Sequence, residues 1–322
     1  MTSPLQKYLL VFKKLRIDRS HGLAPHKPIL LLSILQAVRS SLIQQNKIFI
    51  TPEIVSLFNA NWSVLVSSTN HHCKFFLPFY HLSSQSFWKL VPKSGYEILL
   101  TIKSAIKSFS GLNAAVDYAF LDDDLFLLMK NTDTNEVLMQ FLLDEYFPET
   151  KHLLTETSNY IKNKYDAIEE KILYEPAEEY KREIQTLLKQ QEDEEIFIRG
   201  GVFKREIPKI YNNTCCISGM RIDVTLQISL IDACHIVPFS ESYNDTVSNG
   251  IALCPNLHRA FDRGLISIDE NYQVRVSKVF SEGESDYSIR KFDEKTIGLP
   301  KDHNFWPNVE NFIWHRRNVF KG

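Results

Sequence analysis

The stretch from Cys215 to Asp269 constrains this chain more than any other. It contains Asp232-Ala233-Cys234-His235-Ile236-Val237-Pro238, then Ser248-Asn249-Gly250-Ile251-Ala252-Leu253-Cys254. Pro255-Asn256-Leu257-His258-Arg259-Ala260-Phe261-Asp262-Arg263-Gly264 follows directly. The pattern predicts a strand at 228–237, a polar loop at 239–250, a short return strand at 251–253 and a helix from Pro255. On that helix His258 and Asp262 are four apart and share a face. Two short strands bring His235 near that face. A His on a strand, an Asn in a loop, and a His with an Asp on a helix make a small metal-and-base site.

Charge bears on what such a site can act upon. The chain has 37 Lys and Arg against 39 Asp and Glu, a net charge of −2. A DNA-binding surface is therefore a local basic patch rather than the whole protein. At 322 residues two domains are expected, and 44% hydrophobic content argues against a disordered chain. The opening Met1-Thr2-Ser3-Pro4-Leu5-Gln6-Lys7 has no basic region followed by an apolar run, so no signal peptide is expected. No stretch approaches the roughly 20 apolar residues that span a bilayer, and no membrane partner is expected. The five cysteines (Cys73, Cys215, Cys216, Cys234, Cys254) are odd in number and unevenly spaced. They argue against a secreted disulfide framework and for a cytoplasmic protein.

Three segments follow from the pattern: a mainly helical domain at 1–148, a charged helical linker at 149–200, and a second globular domain at 201–322. In the first, Pro28 and Pro52 suit initial helical turns, with Thr51 as a cap. The aromatic, proline-punctuated region 74–100 predicts strands and loops, and helical periodicity returns at 119–129 and 136–146. The linker is rich in Glu, Lys and Gln, and its apolar seam is thin for a coiled coil.

The order His235, Asn249, His258 and the words around it resemble the ββα-metal, or HNH, nucleases, in particular McrA-like modification-dependent restriction endonucleases. The resemblance spans about 214–276 and implies an α+β chain ending in a ββα-metal nuclease domain. Phosphodiester hydrolysis needs an activated water and a cation to offset the charge of the transition state. The resemblance gives His235 the role of base, suited by an imidazole that titrates near neutral pH. It makes His258 a ligand of one divalent ion, Mg2+ or Mn2+, and gives Asn249 the task of holding the loop that orients His235. Products would carry 5′-phosphate and 3′-hydroxyl ends.

One departure concerns the metal. Many HNH enzymes have Asp or His just before the base, where this chain has Cys234. Asp232 replaces that ligand only if the strand is irregular, because a residue three before His235 faces the other way. Asp262 is either the second ligand or a carboxylate fixing the turn at Gly264. Cys234 as a ligand favours softer metals than magnesium. Cys216-Ile217-Ser218-Gly219 lacks the second thiol of a zinc knuckle, so no structural zinc is expected and the thiols read as buried and inert.

In the first domain, Ala24-Pro25-His26-Lys27-Pro28-Ile29-Leu30-Leu31-Leu32, Leu77-Pro78-Phe79-Tyr80-His81-Leu82 and Phe87-Trp88-Lys89-Leu90 resemble the sulfur-binding domain of phosphorothioate-dependent restriction endonucleases. The likeness runs over about 7–147. It implies a reader of modified double-stranded DNA, with Pro78 and Phe79 in an apolar pocket, His26, Lys27 and His81 at its rim, and Lys103 as a further phosphate contact. Leu77 and Lys27 stand where that family commonly has Tyr and Arg, and Lys lacks the bidentate fork of Arg. Taken singly, His26 also reads as a residue preceding a helix, and Pro78-Phe79 as core. The combined expectation is a phosphorothioate-dependent defence nuclease, with a homodimer contact supplied by the linker. An HNH endonuclease that reads a different DNA modification or a DNA structure, or a non-catalytic DNA-binding protein with a decayed nuclease site, are the alternatives.

Overall fold

Two helices of the first unit begin as their sequences dictate, with a hydroxyl cap followed by proline. Ser3 caps α1 (Pro4–Lys13), its Oγ accepting from the Gln6 N–H. Helix α2 (His26–Arg39) follows, with Ile29, Leu30, Leu31, Leu32, Ile34 and Leu35 wholly buried, as expected of a helix apolar on every side. After β1 (Ile48–Phe49), Thr51 caps α3 (Pro52–Leu65) through the Ile54 N–H. Asn61 of α3, also buried, donates to Ser33 Oγ at 2.9 Å and Gln36 Oε1 at 2.8 Å, so its amide is answered inside the core. The computed structural model describes residues 3–20, 22–67, 70–102, 105–156, 158–221 and 230–322, with backbone alone at 155–156 and 158–164.

The aromatic region differs from its sequence reading. It opens with a helix, α4 (Phe76–His81), in which Phe79 meets Phe75, four residues back, at 5.3 Å. Pro78 is tolerated as the third helical residue because the first turn needs no intrahelical donors. Next come β2 (Trp88–Pro92), α5 (Glu97–Thr101), α6 (Phe109–Ala115) and β3 (Val116–Leu121). Residues 119–121, read as helix, belong to β3, where Ala119 and Leu121 alternate inward. Helices α7 (Asp123–Lys130) and α8 (Thr132–Tyr146) follow. The strands form an antiparallel sheet ordered β1-β3-β2, with an irregularity at Val91/Pro92, where proline offers no ladder N–H.

Helices α9 (Lys151–Glu156), α10 (Ser158–Tyr174), α11 (Ala177–Gln190) and α12 (Asp193–Ile210) occupy the charged segment and its continuation. The chain is α+β and divides into two compact units, 1–165 and 166–322. The reading of 149–200 as a solvated linker therefore fails over much of its length. Helix α11 turns Tyr180 and Ile184 inward, and α12 buries Ile198, Val202, Phe203 and Ile207. Arg199, 1% exposed, is held by Glu183 at 2.7 Å and Glu195 at 3.0 Å. Part of the charge that suggested solvent is an internal ion-pair network.

The second unit continues with β4 (Asp232–His235), α13 (Phe239–Ser242), β5 (Gly250–Leu253) and α14 (Pro255–Asp262). Residues 228–229 of the expected first strand lie outside the described residues. β4 and β5 pair antiparallel, with Cys234 opposite Ile251 and His235 opposite Gly250. The antiparallel pair β6 (Ile266–Ile268) and β7 (Val274–Val276), then α15 (Val309–Asn318), complete it. Gly264 sits at φ +70° after α14, and a Cβ there would lie 2.0 Å from the Val319 carbonyl oxygen. Only glycine lets the chain after α15 close on that turn, where the Lys321 N–H bonds the Gly264 carbonyl at 2.9 Å. Among the described residues no helix is long and apolar enough to cross a membrane.

Candidate active site

The β4 strand divides the chemistry between its faces. Alternation puts Asp232 and Cys234 on one face and His235 on the other. The first face meets α14, whose His258 and Asp262 project one turn apart. Asp232 Oδ2 lies 3.1 Å from His258 Nδ1, and Asp262 Oδ2 lies 3.5 Å from His258 Nε2. Cys234 Sγ is 4.0 Å from Asp262 Oδ1. Asp232 thus reaches the helix from a regular strand, because the helix lies on its side rather than on that of His235. With Nδ1–H donated to Asp232, His258 turns its free nitrogen toward Asp262, and Asp232 orients the ring.

Among the described residues, Cys234, His258 and Asp262 are the group of three potential metal donors, with ligand atoms within 4.8 Å of one another. An imidazole nitrogen and a carboxylate suit a divalent ion of the Mn2+ or Mg2+ kind, and a thiolate favours softer ions. Burial, and then the negative Asp262, push the Cys234 thiol well above its ordinary range. Its sulfur is also a soft donor, ill matched to a hard divalent ion. The donor set therefore fits a divalent ion held chiefly by His258 and Asp262.

His235 is held from the opposite face. Its ring stacks on Phe203 of α12 at 4.0 Å and 9°, and its Nε2 meets Asp245 Oδ1 at 2.8 Å. Asp245 is almost wholly buried, and the Tyr180 hydroxyl donates to its other oxygen at 3.4 Å. Asp245 thus accepts the Nε2–H and leaves Nδ1 as the free basic nitrogen. Asn249, with no exposed surface, accepts from the Val237 N–H at 2.9 Å. Its Nδ2 donates to the carbonyls of Val237 at 2.9 Å and Asn244 at 3.0 Å, which clamps the loop carrying Asp245. His235, His258 and Asp262 come together in a cleft of about 300 Å³ at the end of β4.

The sequence reading did not identify Asp245, Phe203 or Tyr180. The only local signal was an Asp in the polar loop ahead of Asn249; Phe203 and Tyr180 belong to helices assigned to the linker or its edge.

In the first unit a pocket of about 360 Å³ gathers Arg16, His26, His71, Leu77, Pro78 and His81. His26 is fixed there: it faces Trp62 at 4.6 Å, and its Nε2–H donates to the His72 carbonyl at 2.9 Å. Burial, aided by the neighbouring His71, lowers its basicity. Lys27 lines the same pocket but is 8% exposed, its ammonium donating to the Arg16 carbonyl at 2.7 Å and Ser84 Oγ at 3.0 Å. Burial, then the Arg16 charge, lower it to about 8. Lys27 is thus a tether rather than a rim cation. Phe79 does not line the pocket; it is core, 5.3 Å from both Phe75 and Trp88. Lys103 lies outside the described residues. Arg16 and His71 were missed because they are 10 and 45 positions from His26 and carry no local motif.

Comparison with known proteins decides the class of the second site: residues 215–269 match the HNH endonuclease family. They form an HNH endonuclease domain. No curated protein matches the chain. Among solved structures, one titled "Modification dependent TagI restriction endonuclease" aligns at 18% identity and a TM-score of 0.29. That alignment covers 36% of this chain, which spans about a third of the other's length, 37%.

Proposed function

We propose that the chain is a modification-dependent DNA endonuclease that recognises phosphorothioated double-stranded DNA and cuts it with the HNH domain. The observation that carries the nuclease half is the cleft in which His235, braced by Asp245 and Phe203, opens beside His258 and Asp262. His235 Nδ1 takes the proton of the attacking water, and the Asp245 carboxylate stabilises the imidazolium that results. Asn249 keeps the loop, and hence Asp245, in place. His258 and Asp262 would hold a divalent ion, Mg2+ or Mn2+, which when bound would supply positive charge for the scissile phosphate and the departing 3′ oxygen.

The pocket of the first unit supports the reader half. A phosphorothioate sulfur is larger and less hydrated than oxygen, so Leu77 and Pro78 offer it an apolar seat while Arg16 and His81 offer polar contacts to the flanking backbone. Making a double-strand break calls for two such sites, which a homodimer supplies; light scattering reads that directly.

The test is cleavage of two otherwise identical duplexes, one with a stereodefined phosphorothioate, in Mg2+ and in Mn2+, with His235→Ala alongside. Selective cutting of the sulfur-bearing duplex, lost in the variant, is the expected result. Equal cutting of both keeps the nuclease and removes the sulfur reader in favour of another modification. Failure to cut either, with binding retained, points to a DNA-binding protein whose nuclease site is inactive.

A further inference from the structure

A second cluster of reactive side chains lies away from the metal face. Cys215 begins a tight turn in which the Gly219 N–H bonds its carbonyl at 2.9 Å and the Ser218 N–H points at its sulfur at 3.4 Å. The Cys216 N–H bonds the Ala252 carbonyl at 2.8 Å, pinning this turn to the end of β5. Ser218 thus stands between two thiols that share a hydrogen bond: its N–H faces Cys215, and its Oγ lies 4.0 Å from Cys254 Sγ. Cys254 is also the cap of α14, its carbonyl accepting from the His258 N–H at 2.9 Å.

The surroundings favour one charged sulfur. The hydrogen bond from Cys254, with others from the Ser218 hydroxyl and from the backbone N–H groups of Ser218 and Cys254, lowers the Cys215 thiol to about 5 against the opposing effect of burial. Cys254, as the donor, is raised. Cys216 and Cys234, fully buried, are also raised, chiefly by burial. An open cleft of about 840 Å³, with Lys209 and Lys301 in its wall, reaches Cys215 and Ser218. Cys215 is 1% exposed at the wall of that cleft and Cys254 is half-buried, so the two sulfurs sit together just beneath the surface, the arrangement of an oxidisable dithiol.

We propose that Cys215 and Cys254 are a peroxide-reactive pair whose disulfide ties the Cys215–Gly219 turn to the cap of the helix that carries His258 and Asp262. The Cys215 thiolate attacks one peroxide oxygen, the O–O bond breaks, and hydroxide leaves with the electron pair, giving a sulfenic acid. The Cys254 sulfur, losing its proton to that hydroxide, attacks the sulfenic sulfur. The S–S bond forms, the S–O bond breaks, and a second water completes the balance. Two thiols and one peroxide become one disulfide and two waters, the sulfurs oxidised by two electrons and the peroxide reduced by two.

The experiment uses the full reduced chain, hydrogen peroxide at near-stoichiometric amounts, and alkylation of the remaining thiols after denaturation, followed by intact mass and fragment-ion assignment. Three of the five cysteines are expected to alkylate, with a dithiothreitol-reversible link between Cys215 and Cys254. In Cys254→Ser the reaction stops at a sulfenic acid that dimedone traps on Cys215, at a rate about ten times that of Cys216 or Cys234 or more. Cys73→Ser leaves the link intact. Alkylation of all five thiols after peroxide, a link through another cysteine, or even dimedone labelling across the thiols overturns the proposal. The wild-type map decides the link without relying on the folding of any variant.

Discussion

Replacing Gly250 by alanine tests how the base is held. Gly250 stands opposite His235 at φ −125°, a backbone that any residue adopts, so conformation does not demand glycine here. Space does. An alanine Cβ would lie 2.3 Å from Ile207 Cδ1, 2.8 Å from Ile207 Cγ1 and 2.9 Å from Phe203 Cε2. Carbon atoms rest about 3.5–4.0 Å apart, so the methyl intrudes by about 1 Å against its nearest neighbour. Ile207 and Phe203 have no exposed surface, so relief requires α12 to move off β5. Overpacking of this kind costs about 1–3 kcal/mol. In a unit of this size each kcal/mol lowers Tm by about 2–4 °C, so thermal denaturation should show a loss of about 2–12 °C. Nicking should fall as well, because Phe203 is the ring on which His235 rests. Ile207→Val deletes the nearest clashing atom at a cost of about 0.5–1.5 kcal/mol. In that background Gly250→Ala should cost less by about 0.5 kcal/mol or more. An unchanged Tm in Gly250→Ala, or an equal loss in both backgrounds, refutes the reasoning.

Asp245→Asn should lower turnover by about 10- to 100-fold with DNA affinity unchanged by fluorescence anisotropy, the range seen when a carboxylate that orients a functional histidine is lost; turnover within twofold of wild type contradicts this. His315 is buried against Phe261 and bonded to Ser267 Oγ at 2.8 Å. Burial lowers its imidazole from 6.5 to about 4. Between those values the unfolded chain binds a proton that the folded chain does not, so stability rises with pH across that window and is lost as the pH falls through it, by about 3 kcal/mol in all. His315→Gln should flatten that part of a denaturation-versus-pH curve, and an unchanged slope would count against it. Cys234→Asp replaces a protonated thiol beside His258 with a hard oxygen donor, and the ratio of Mg2+- to Mn2+-supported cutting should rise by about tenfold or more. EDTA should abolish cutting by the wild type, with Mn2+ restoring it.

How much was legible depends on how far apart the cooperating residues lie. His235, Asn249, His258 and Asp262 fall within 28 positions, and their strand–loop–helix setting follows from alternation, a proline start and the i, i+4 rule. The brace behind His235 was not legible, because Phe203 and Tyr180 lie 32 and 55 positions upstream and meet it only through helix packing. Helix α11 buries just Tyr180 and Ile184 in a run of charges, too thin a stripe to distinguish from a solvated helix. Asp232 was misjudged for a different reason: alternation placed it correctly relative to His235, but not which face the helix would cover. In the first unit, Phe79 and Lys27 have the residue types of a pocket yet serve as core and tether, a distinction only their neighbours make.

Helices α11 and α12 also determine where this chain can be cut and rejoined. Transplanting 215–269 alone would carry the family's words into a new host without the aromatic surface beneath the base. A join at 201 would keep Phe203 but discard Tyr180, Ile184, Ile198 and Arg199, and open the buried side of α12 to water. A chimera that exchanges one recognition module for another therefore has its seam upstream of Ala177, where the nuclease keeps the two helices that complete it.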